Sequence, residues 1–97
     1  MDFGIRWSPL AVSNFEQIVN YISQDSKTYS MIFASNVLTL IESIPLFPKS
    51  GRMVPEYKDE NLRERIYGNY RIIYRIKEDV IEIVAITHGS RMVDNLW

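Results

Sequence analysis

The sequence predicts an α+β fold in the order β-α-α-β-β-β, a two-helix hairpin packed on a mostly antiparallel four-stranded sheet. Three observations predict it. Apolar residues recur at helical spacing only in the first half of the chain. From residue 62 onward they alternate at strand spacing. Between the later strand segments lie only two or three turn-forming residues, which suits hairpins and leaves no room for crossovers.

Each element has its own local reason. "FGIRW" reads as a short opening strand. Ser8 is a plausible N-cap for the first helix, and Pro9 falls at its first position, where a missing N–H costs nothing. Ala11, Phe15, Ile18 and Ile22 then share one face. "DSK" breaks the helix, with Ser26 a candidate cap for the next. The second helix aligns Tyr29, Phe33, Val37, Leu40 and Ile44, while Met31, Ile32, Leu38 and Ile41 widen its apolar surface beyond one stripe. Pro45 and Pro48 end it. "PLFPKSGRMVPEYKDEN" reads as a loop by its Pro, Gly, Lys and Asp content. "LRERIY" and "YRIIYRIK" are strands joined through Gly68-Asn69, and "VIEIVAITH" follows the turn Lys77-Glu78-Asp79. A chain of 97 residues is a single domain, 1–97.

Composition narrows the chemistry. The hydrophobic share is 46% and the charged share 24%, which argues against disorder. With no cysteine and one histidine, thiol nucleophiles and thiolate metal sites are excluded and no metal or other cofactor is expected. There is no basic, apolar leader and no uninterrupted apolar run of about 18 residues, so a cytoplasmic address without membrane contact is expected. The net charge of −1 conceals an asymmetry. Residues 62–77 hold five bases against Glu64, and concentrated positive charge is what meets phosphates.

Those bases sit in strands, so the faces matter. Tyr70, Ile72, Tyr74 and Ile76 alternate with Arg71, Ile73 and Arg75, and Ile81, Ile83 and Ala85 alternate with Glu82, Val84, Ile86 and His88. Turning the tyrosine and isoleucine rows toward the helices collects Arg71, Arg75, Glu82 and His88 on the other face, with Arg63 and Arg65 possible from the neighbouring strand. Two readings of that face stay open. Glu64 and Glu82 could pair with Arg63, Arg65 or Arg75 as a solvated, salt-bridged surface. Alternatively the arginines, Arg71 first, form a working surface, with His88 a proton donor or a hydrogen-bonded strand end.

"GRMVPEY", "NLRERIYGNYRIIYRI" and "IEIVAITHGSR", in that order after a helical hairpin, resemble the RelE/ParE superfamily of toxins from type II toxin–antitoxin modules of the plasmid-stabilisation type. The opening "IRWSPLA" fits as well, so the resemblance covers nearly the whole chain. It implies a small growth inhibitor held inactive by a cognate antitoxin, for which the broad apolar surface of the second helix is a candidate contact. It also implies one of two mechanisms. RelE-like members cleave mRNA on the ribosome, and there Glu56 would be the general base, Arg71 the stabiliser of the phosphorane and His88 the general acid. Lys49, Arg52, Lys58, Arg65, Arg75 and Arg91 would hold RNA or another target. ParE-like members inhibit DNA gyrase without nuclease activity, using the same face or the C-terminal "MVDNLW", with Trp97 a candidate anchor. Ribosome-dependent cleavage is the first expectation. Gyrase inhibition, or a non-toxic antitoxin-binding role, is the alternative.

Overall fold

A computed structural model of the chain describes residues 3–91 and 93. β1 (Gly4–Trp7) leads into α1 (Pro9–Asp25) and α2 (Lys27–Ser43). Two 3-10 turns, Ile44–Leu46 and Pro48–Ser50, carry the chain to β2 (Arg52–Met53), β3 (Leu62–Tyr67), β4 (Tyr70–Lys77) and β5 (Val80–His88). The five strands form one sheet in the order β1-β5-β4-β3-β2, antiparallel except where β1 runs parallel to β5. The class agrees with the expectation and the strand count does not. The segment read as a loop contains most of the first 3-10 turn, the whole of the second and β2, a strand too short to leave a periodic signal.

Both helices start as their caps dictate. Ser8 Oγ accepts the Ala11 N–H at 3.0 Å, and Ser26 Oγ accepts that of Tyr29 at 3.0 Å. Ser8 also serves the sheet. β1 stops at Trp7, and beyond it the edge of β5 would present unpaired backbone groups. Ser8 donates its hydroxyl to Val84 O (2.8 Å), and Asn14 Oδ1 accepts the Ile86 N–H (3.0 Å). Side chains of α1 and its N-cap thus continue the pairing that β1 leaves unfinished.

The main core lies between helices and sheet. Phe33, Val37, Ile41 and Ile44 meet Ile72, Tyr74, Ile81, Ile83 and Ile86, all essentially without solvent exposure. By length and composition Lys27–Leu46 is apolar enough to cross a bilayer. Part of that apolar surface is spent on this core, while Met31 (71% exposed), Ile32 and Leu38 face outward.

The far side of the sheet is not an open surface. A second cluster packs there, with Val54, Leu62, Ile73, Val84, Ala85 and Val93 buried and Tyr57 against them. The faces also differ from simple alternation in β5. Ile73 pairs with Ala85 and Tyr74 with Ile83, so Val84 is the extra residue of a β-bulge. Past the bulge every side chain changes face. Ala85 joins the second cluster, and Ile86 and His88 swing to the helix side.

Candidate functional site

Glu64 and Arg71 stand on neighbouring strands of the far face, Glu64 opposite Ile73 and Arg71 opposite Ile66. Their side chains are 0% and 5% exposed. Glu56, in the segment after β2, reaches the same point with 15% exposure. Arg71 holds Glu56 through a two-pronged fork, Nη1 to Oε2 and Nη2 to Oε1, each 2.8 Å. Its Nε donates to Glu64 Oε1 at 2.7 Å, and Nη2 lies 2.6 Å from the same oxygen. Nη1 also donates to Arg91 O at 3.2 Å. Four hydrogen bonds and the close Nη2–Glu64 contact thus surround this guanidinium with acceptors. Arg52, largely exposed, donates Nε to Glu64 Oε2 at 2.5 Å and so links the buried carboxylate to solvent. Two carboxylates thus balance two guanidiniums.

The cluster is tied to the chain end. The Val93 N–H donates to Glu56 Oε2 at 3.1 Å, while Arg71 takes the Arg91 carbonyl. Together they fasten Arg91 and Val93 beside the second core.

The charges respond as paired groups do. The hydrogen bonds from Arg71, aided by the Val93 N–H, outweigh desolvation and lower the pKa of Glu56 to about 2. Bonding to Glu56 and Glu64 outweighs burial at Arg71 and raises its pKa still further above the ordinary arginine range. A base with a pKa near 2 is poorly suited to taking a proton from a ribose hydroxyl near neutral pH.

His88 lies elsewhere. It pairs with Tyr70 on β4, and the two rings meet edge to face at 5.8 Å on the helix side. The expected collection of His88 with Arg71 on one face is therefore corrected by the bulge at Val84. Arg63 and Arg65 are corrected too. They stand opposite Tyr74 and Ile72, on the helix side near the sheet edge. There Arg63 Nη1 holds Gly51 O (2.9 Å) and Arg65 Nη1 holds Ser50 Oγ (3.1 Å). Arg75 pairs with Glu82 at 3.7 Å, and Lys77 approaches the same oxygen at 3.5 Å. Lys49, Lys58 and Arg91 are exposed. The candidate target-binding cations are thus divided between faces and form no single stripe. Trp97 lies outside the described residues.

Two important residues carried little sequence signal. Glu64 reads as an ordinary exposed strand charge until its partner on β4 is known. Asn14 reads as a polar position of α1, though it fixes that helix to β5.

The family model for the ParE toxin of the type II toxin–antitoxin system parDE matches residues 5–93. The chain belongs to the ParE toxin family. The curated protein "Putative toxin Y4kP" of Sinorhizobium fredii is 28% identical over 89 residues, spanning 90% of this chain and 88% of its own. Among solved structures, the chromosomal ParDE toxin–antitoxin system from P. aeruginosa superposes with a TM-score of 0.71 at 13% identity, covering 89% of this chain and 95% of that one. The toxin–antitoxin complex RelBE2 from Mycobacterium tuberculosis gives 0.64 at 15%, with 91% and 99% covered. Both structures share the fold of this chain.

Proposed function

We propose that this ParE-family toxin inhibits growth by gripping a protein target, DNA gyrase, and does not cut mRNA. One observation carries the reading. Arg71, the residue that would stabilise a phosphorane, is buried and already held by hydrogen bonds and ion pairs to Glu56, Glu64 and Arg91 O. Binding RNA there would first require breaking a buried ion cluster. Glu56 lies inside that cluster with a depressed pKa, and His88 belongs to the other face. In this account Glu56 and Arg71 are structural.

The toxin acts in the cytoplasm and is held inactive by a cognate antitoxin. The outward residues of α2, including Tyr29, Met31, Ile32 and Leu38, are the apolar surface such a partner would cover. The two solved relatives, whose descriptions name toxin–antitoxin systems, support the partnership.

The test is supercoiling of relaxed plasmid by purified gyrase. Inhibition by the toxin, relieved by co-expressed antitoxin, is the expected result. Undisturbed supercoiling at toxin well above gyrase concentration would remove gyrase as the target.

A further inference from the structure

Beside the end of β4 and β5, against α1, lies a cleft of about 250 Å³. Asn14 and Tyr21 line it from the helix, Tyr70, Ile86 and His88 from the strands, and Arg91 from the chain beyond. Its chemistry is one-sided, because no carboxylate of the described residues lines it.

The donors are oriented from outside the cleft. The Ser90 N–H donates to His88 Nδ1 at 3.3 Å, and Ser90 Oγ lies 2.8 Å from the same nitrogen. An Nδ1 that accepts leaves the imidazole proton on Nε2, a donor. The Asn14 oxygen is occupied by the Ile86 N–H, so its NH2 is the end left to offer. Arg91 is fixed by its backbone, with its N–H on His88 O (3.0 Å) and its carbonyl held by Arg71. Its guanidinium has no hydrogen bond or ion pair among the described residues. The buried cluster on one face of the sheet therefore holds the backbone from which Arg91 lines the cleft on the other.

We infer that this cleft seats an acidic side chain of a partner polypeptide, with an apolar or aromatic neighbour packing on Tyr21 and Tyr70. The inference rests on the reading that the toxin grips a protein. An Arg fork, an Nε2–H and an amide suit one carboxylate, and Tyr21, 68% exposed, is the kind of side chain that anchors protein contacts. A nucleic acid is the weaker fit, since its affinity comes from a series of phosphate contacts. α1, the wall along which a strand would leave, has no Lys or Arg and contributes Glu16 and Asp25.

The test is selection of a random peptide phage library on the folded chain, followed by affinity measurements on a synthetic consensus peptide. Peptides rich in Asp or Glu beside an aromatic or aliphatic residue are expected. Arg91→Ala should weaken the consensus peptide at least about tenfold, and Arg91→Lys less. Arg6→Ala, which removes one exposed charge on β1, should leave it unchanged, and matching melting curves should show all three variants folded. Selection without acidic residues, equal binding to Arg91→Ala, or tighter binding of a uridine trinucleotide at His88 and Arg91 would each overturn the inference. No gyrase is present in this assay, so loss of the gyrase reading and loss of the cleft are separate results.

Discussion

Glu64 is an acidic residue with 0% side-chain exposure, a placement that survives because Arg71 and Arg52 surround it. Breaking a buried pair by removing one partner costs about 3–5 kcal/mol, because the other charge is left stranded. Glu64→Ala should lose roughly that much in urea denaturation. Arg71→Ala should lose more, since it leaves two carboxylates facing each other. For a domain whose whole stability is about 5–15 kcal/mol, that approaches unfolding. Glu56 gives the pH dependence. Its carboxyl has a pKa of 4.5 in the open chain and about 2 in the fold. A depressed acid contributes stability that is fully present above pH 4.5 and is lost as pH falls toward 2. Glu56→Gln should therefore lower stability at neutral pH and flatten the acid limb between 4.5 and 2 in a pH series of melts. Neither role could be read from residue type, because an Arg-Glu alternation looks the same whether it is solvated or buried.

At the scale of the elements, local rules carried the reading well until one residue broke the period. Caps at Ser8 and Ser26, the buried Phe33 and Val37 of α2 and the hairpin at Gly68-Asn69 all follow from nearest-neighbour chemistry, and the structure has them, while Tyr29 of the same expected row is 57% exposed. Gly68 sits at φ +56, the conformation the tight turn requires. The bulge at Val84 has no such signature, since Val84 is as good a strand residue as its neighbours. It is set by Ala85 facing the small second cluster while Ile86 fills the main one. That single insertion reversed the expected faces of Ala85, Ile86 and His88. The turn between β4 and β5 gives a further prediction. Glu78 stands at φ +47, strained for a residue with a Cβ. Glu78→Gly should raise Tm by a few degrees, the relief of strain exceeding the added chain entropy of glycine. Asn14→Ala should lower stability by about 1–3 kcal/mol, because it leaves the Ile86 N–H without its acceptor.

For the whole molecule, the four arginines of β3 and β4 resolve into two pairs. Arg63 and Arg65 brace the 3-10 segment at the sheet edge on the helix side. Arg71 is buried on the far face and Arg75 pairs there with Glu82. The surfaces we propose as working ones are then the outer side of α2 and the His88–Arg91 cleft. Replacing Met31 or Ile32 by Glu should abolish antitoxin capture in pull-down while leaving the melting curve within about 0.5 kcal/mol of the parent, as exposed substitutions do. The fold class and family were readable from pattern and turns. Which face was free was not, because that depended on a bulge, on Glu64 and on how Val93 closes the second core.

Primer extension on mRNA from a cell-free translation reaction, with toxin in excess over ribosomes, tests the structural role of Glu56 and Arg71 most directly. The account predicts no new 5′ ends. Cleavage that appears only on translated mRNA, and disappears in a folded Arg71→Lys variant, would contradict it and return Arg71 to catalysis.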